Sequence, residues 1–286
     1  MARCTVCFRH CELREGQTGF CGARICRDGS VQAGNYGRIT AMALDPIEKK
    51  PFRRFHPGTK ILSVGSYGCN LRCPFCQNHE ISWSAQAMDL ANTAKTVTPE
   101  QLVAAAKRYQ KQGNIGLAFT YNEPLIGYEF VRDAARLSHE AGMVNVLVTN
   151  GTADLPVLEE LGPHIDAMNI DLKGFTDRYY REVLGGDRQM VMDFIKRAVQ
   201  DCHVELTCLI VPGENDTEEE MREMSAWIAG LPGRDGNGAG TEIPLHISRF
   251  FPRFHMMDRK ATEVKQVYRL AEIAREKLRY VYTGNC

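Results

Sequence analysis

The sequence predicts an α/β protein: an open, partial (β/α)6 barrel of the TIM type, behind a small cysteine-rich N-terminal extension. Three observations predict it. From residue 60 onward, short apolar runs alternate with stretches of helical periodicity, the pattern of parallel βα units. There are six such runs, too few for the eight that close a barrel. Eight of the eleven cysteines lie in the first 76 residues, in two groups. The chain therefore divides into residues 1–58, extension and linker, and residues 59–286, the α/β core, with Pro57-Gly58 at the boundary.

The elements follow in order. Cys4, Cys7, Cys11, Cys21 and Cys26 are spaced C-x2-C-x3-C-x9-C-x4-C, with Gly16, Gly19 and Gly22 supplying turns. So short a segment buries little apolar surface, and a metal would offset that lack. Cys4, Cys7, Cys11 and Cys21 suit an iron–sulfur cluster or a zinc site equally; free thiols in a turn-rich cap are the bland reading. Gly29 to Gly34 reads as a hairpin. Asp45 to Gly58 interleaves basic and aromatic residues, which suits either a nucleic-acid contact or an extended linker lying on the core. The linker is the better reading, because the run is short and the chain neutral. Strands are expected at 61–64, 115–119, 144–148, 165–170, 204–211 and 243–247. Thr98, Pro99 and Gln101 predict a capped helix start. A second helix is expected over 124–141, a third after Asp216 as cap, and a last one over about 258–277. Residues 230–240 read as a glycine-rich loop.

Composition excludes some functions. With 35 basic and 35 acidic side chains there is no net charge to draw nucleic acid or an anionic membrane. No apolar run reaches the length of a membrane span. The first residues lack a signal-peptide pattern, so eleven cysteines argue for a reducing cytoplasm and for metal ligation over disulfides.

The second cysteine group carries the chemistry. Cys69, Cys73 and Cys76 have the spacing C-x3-C-x2-C, with Pro, Gly and Asn between and around them. Three thiolates hold a cubane [4Fe-4S] cluster and leave one iron open to a substrate or cofactor, where four would close it. Polar residues collect after the strands: Asn122 and Glu123, then Thr149 and Asn150, then Asp171 and Lys173, with His246 near the sixth. In a parallel barrel these are the positions of the active site. Each has a plainer reading: Glu123 as a helix cap, Asn150-Gly151 as a turn, Asp171 and Lys173 as an ion pair, His246 as a core residue.

These residues and spacings, with Phe75 before the third cysteine, Gln77-Asn78 after it and Thr120 to Pro124, resemble the radical S-adenosylmethionine (SAM) superfamily over nearly the whole chain. Within it the chain is most similar to the radical SAM proteins of the AmmeMemoRadiSam system, relatives of the pyruvate formate-lyase activating enzymes. The resemblance implies that Cys69, Cys73 and Cys76 hold the [4Fe-4S] cluster and that SAM is cleaved there to a 5′-deoxyadenosyl radical. It implies Glu123 and Asn122 at the SAM amino group, Thr149 and Asn150 at the ribose, and Lys173, beside Asp171, at the carboxylate. His246 would approach the ribose and Phe75 the adenine. It further implies a low-potential donor such as flavodoxin or ferredoxin, and a glycyl residue of a partner protein as substrate. Two departures stand out. Val148 occupies the position of an Asp in the activating enzymes, and the extra cysteines precede the main motif instead of following it. The other readings are radical chemistry on a small molecule or another macromolecule, and a cluster- or zinc-binding scaffold without catalysis.

Overall fold

The structure, a computed structural model, describes residues 1–233 and 240–286, apart from the side chains of Met88, Ala91 and Asn92. Most of the expected glycine-rich loop, residues 234–239, lies outside the described residues. The core is one eight-stranded sheet whose strands we number along the chain: β1 (Ala41–Pro46), β2 (Lys60–Gly65), β3 (Asn114–Phe119), β4 (Val144–Thr149), β5 (Ala167–Asp171), β6 (His203–Ile210), β7 (Leu245–Arg249) and β8 (Val281–Gly284). They lie side by side in chain order. From β2 to β8 every pairing is parallel, while β1 runs antiparallel to β2. β1 and β8 are the two edges, so the wall is open.

Six parallel strands were expected and seven are present. β8 escapes a periodicity reading because four residues, half of them Tyr and Gly, show no alternation. β1 belongs to the segment expected as extension and linker, so the expected boundary near residue 58 falls between two paired strands. β7 begins two residues later than predicted, behind the turn Gly240–Glu242 and Pro244, which has no N–H for a ladder. The capping box at Thr98 forms as read, with Gln101 N–H donating to Thr98 Oγ1 and Thr98 N–H donating to Gln101 Oε1. The cap of the helix Glu218–Ala229 is Thr217; Asp216 instead accepts from Gly213 N–H at 3.1 Å. The last helix starts only at Val264, because Thr262 is tied to Phe250 O and Ile210 O and holds the preceding chain against the strand ends. The predicted hairpin is Arg24–Arg27 with Ser30–Ala33, turning on Asp28 and Gly29, both at positive φ.

Residues 47–58 close the barrel from below. Pro46 pairs with Lys60, so this segment lies at the N-terminal ends of the parallel strands. Ile47 and Phe52 are fully buried and pack with Ile61, Ala118, Val146 and Ala167. Of the mixed basic and aromatic run, Lys50 and Phe52 turn inward, while Lys49, Arg53, Arg54 and His56 stay exposed. Lys50 is buried, 3.0 Å from Asp45 and 4.3 Å above the Tyr121 ring. The segment lies on the core, and through Ile47 and Phe52 it also supplies core.

Candidate active site

The loop after β2 carries Cys69, Cys73 and Cys76, and its path is set by named bonds. Gly68 turns at φ +92°, and a Cβ there would stand 2.6 Å from Cys21 O, so only glycine fits. Cys69 N–H donates to that same Cys21 O at 3.1 Å. Asn122 Oδ1 accepts from Ser66 N–H, and its Nδ2 donates to Tyr67 O and Gly68 O. Asn70, fully buried, donates to Thr152 O, and Arg72 Nη1 donates to Cys69 O at 2.8 Å. Asn78 Nδ2 donates to Tyr121 O, and His255 N–H donates to Pro74 O. These bonds hold the three cysteines on one face, close enough for each to feel the others' charge.

All three are free thiols. Burial pushes Cys73 up to about 11, drives Cys69 well above the usual thiol range and raises Cys76. Thiols so desolvated become thiolates when a metal takes the proton's place. Donors already face the sulfur of Cys69: Leu71 N–H at 3.4 Å and Asn150 Nδ2 at 3.8 Å. Lys173 brings a cation toward Cys73 and Cys76. A donor set of three thiols with N–H groups and a cation turned toward sulfur fits an iron–sulfur cluster.

Beside it lies a buried carboxyl. Glu123 accepts from Thr149 Oγ1 at 2.6 Å, Asn150 N–H at 2.8 Å and Leu125 N–H at 3.0 Å. Burial outweighs these donors and lifts its pKa to about 7. Asn150 also donates from Nδ2 to Asn70 Oδ1 at 2.9 Å. Asp171 and Lys173 meet at 2.7 Å. Burial opposes the charge of Lys173, but Asp171 and the Cys73 sulfur outweigh it and keep the ammonium firmly protonated.

Most of the residues singled out from sequence thus come together beyond the C-terminal ends of β2 to β5. Three have protein partners of their own. Asn122 directs its side chain to the backbone of the cysteine loop, because its amide bridges the ends of β2 and β3. Phe75 is buried edge-on against Phe250, with ring centroids 6.1 Å apart. His246 Nε2 lies 2.6 Å from Glu205 Oε2, and Glu205 also accepts from the backbone N–H of Arg53 and Arg54 in the segment that closes the barrel from below. The sequence reading passed over Asn70 and Arg9. Asn70 stands inside the cysteine motif, which was its only signal. Arg9 Nε donates to Asn70 O at 3.0 Å across 61 residues of chain, which no local pattern announces.

The chain is similar to known proteins. Residues 63–225 match the sequence profile of the Radical SAM superfamily. An uncharacterized protein of Methanocaldococcus jannaschii is 38% identical over 285 residues, which cover 99% of this chain and 81% of that protein. The pyruvate formate-lyase 1-activating enzyme of Escherichia coli K12 is 27% identical over 197 residues, 66% of this chain and 75% of that enzyme. The crystal structure of a domain of a pyruvate-formate lyase-activating enzyme from Bacteroides vulgatus superposes with a TM-score of 0.51 at 16% identity, covering 59% of this chain and 99% of that domain, and shares the fold.

Proposed function

The chain belongs to the radical SAM superfamily, and from that premise we propose that it cleaves SAM reductively and uses the resulting radical to take hydrogen from a substrate. One observation carries the proposal: three clustered thiols and a buried carboxyl face one another at the same edge of a parallel sheet. When bound at Cys69, Cys73 and Cys76, a [4Fe-4S] cluster supplies the electron that splits the carbon–sulfur bond of SAM into methionine and a 5′-deoxyadenosyl radical.

The protein supplies binding and shielding. Glu123 receives the SAM amino group and is itself positioned by Thr149 and Asn150, the two residues that the resemblance puts at the ribose. Lys173, charged and oriented by Asp171, receives the SAM carboxylate. Asn122 fixes the loop from behind, and Phe75 offers an apolar wall for the adenine. His246, engaged by Glu205, is the member least tied to this group. Cys4, Cys7, Cys11 and Cys21 form a further metal centre, iron–sulfur or zinc. Among the described residues no helix is long and apolar enough to cross a membrane. Free thiols throughout suit a reducing cytoplasm, with reduced flavodoxin or ferredoxin as electron source.

For the substrate, similarity to a pyruvate formate-lyase 1-activating enzyme supports a glycyl residue of a partner protein. The AmmeMemoRadiSam assignment belongs to the same reading. Val148 and the position of the extra cysteines favour a second one, radical modification of a small molecule or another macromolecule. The test is 5′-deoxyadenosine from anaerobically reconstituted protein given SAM and a strong reductant. The native chain is expected to release it, and a Cys69→Ala, Cys73→Ala, Cys76→Ala variant is not. Absence of product from native protein with its cluster reduced removes the enzymatic reading. A stable glycyl EPR signal on an added glycyl-radical enzyme separates the two substrate readings.

A further inference from the structure

Resting on the reading above, we propose that Cys4, Cys7, Cys11 and Cys21 bind a second iron–sulfur cluster, which relays single electrons to the centre at Cys69, Cys73 and Cys76. The four thiols line one internal cavity, together with Arg9 and Asn70. Cys4, Cys7 and Cys21 are each less than 10% exposed, and Cys11 reaches partway to the surface. The chain is folded round the cavity by Cys4 N–H to Cys11 O at 2.9 Å and His10 N–H to Cys7 O at 3.0 Å. Arg24 N–H points at Cys21 Sγ, 3.4 Å away. Cys26, the fifth cysteine, is buried off the cavity, 3.9 Å from the Glu15 carboxylate, and takes no part.

The arrangement favours a cluster over zinc. A single tetrahedral ion draws its ligands to one point. Here the four cysteines are spread round the lining of one cavity, as thiolates that each take a separate iron of a cubane would be. Four thiolates leave no iron open, so this cluster carries electrons and binds no substrate.

The surroundings fit the same task. Arg9 bonds to carbonyls, Asn70 O and Gly185 O, and lies within charge range of Cys7, Cys11, Cys21 and Cys69 at once. A fixed cation there favours the reduced, more negative cluster. Arg24, the other cation on the cavity, is already paired with Glu129. One hydrogen bond and one chain of neighbouring polar groups join the centres. Cys69 N–H donates to Cys21 O. Asn70 reaches Cys7 on one side, and on the other accepts from Asn150 Nδ2, which also faces Cys69 Sγ. Electron tunnelling decays steeply with distance, and these links keep the path short. In each relay step one electron enters from a low-potential one-electron donor and one leaves to the neighbouring centre. No bond is made or broken.

The test uses the full chain, reconstituted anaerobically with iron and sulfide, as native protein and as the Cys69→Ala, Cys73→Ala, Cys76→Ala variant. The variant is expected to keep about four irons with matching sulfide and no zinc. Its reduced EPR signal should be indifferent to SAM. In native protein the same signal should broaden and relax faster, through coupling to the second spin. A variant that holds no iron, or one zinc without sulfide, overturns the second cluster. A signal identical in native and variant protein overturns the relay. Iron content is read without SAM cleavage, so failure of the enzymatic reading alone would leave the four-iron count intact.

Discussion

Glu123 shows what a single position can hold that its neighbours in sequence do not reveal. Three donors converge on its carboxylate, which would ordinarily lower its pKa, yet burial prevails and the pKa stands at about 7, from 4.5. The folded state therefore binds a proton that the unfolded state has already lost between those two values. Stability from this group falls as pH rises from 4.5 through 7 and stays low above it. The penalty amounts to about 3 kcal/mol. Glu123→Gln cannot ionise, so denaturant titrations of metal-free protein across that window should show the decline in wild type and its absence in the variant. An equal decline in both would assign it to other groups. Glu123 was legible in the sequence because Thr120 to Pro124 follows a strand. Asn70 was not, since its importance comes from Asn150, Thr152 and Cys7, which only the fold brings to it.

At the scale of elements, the strand–helix cadence was readable wherever apolar and β-branched residues cluster between helical stretches, as in β2, β3 and β4. It failed at β1 and β8, whose pairing depends on partners far along the chain, and at residues 47–58. That segment is polar enough to read as linker, yet Ile47 and Phe52 fill the barrel floor. Glu205 fastens it. Burial would raise the pKa of this carboxyl, but His203 at 3.0 Å, His246 at 2.6 Å and the N–H groups of Arg53 and Arg54 overcome that and hold it at about 2. The sign is opposite to that of Glu123. The contribution is complete above 4.5 and is lost as pH falls toward 2. Glu205→Gln should cost about 3 kcal/mol at neutral pH, a gap that closes on acidification. Unfolding curves followed by Trp fluorescence at stepped pH would measure it, and a gap that persists at pH 2 would show that the ionised carboxylate is not its source.

For the whole molecule the question is whether the cysteine-rich extension stands apart from the core. Its composition suggests a separate unit, and sequence alone favours a boundary at residue 58. The contacts weld the two. β1 completes the sheet through a six-residue register with β2. Arg9 and Arg72 clasp the Phe20 ring from 3.4 and 3.7 Å. Cys21 O receives Cys69 N–H, and Asp154 N–H donates to Val6 O at 2.9 Å. Breaking the extension away would expose the edge of β2 and leave buried partners such as Asn70 O unsatisfied, at about 1–3 kcal/mol for each group lost. Neither part is then stable without the other, and melting one must melt the other. Calorimetry of the metal-free chain should therefore give one transition, with calorimetric and van't Hoff enthalpies equal. Two resolved transitions would mean that the extension folds by itself, and that the contacts between Cys21 and Cys69 form only after both parts have folded.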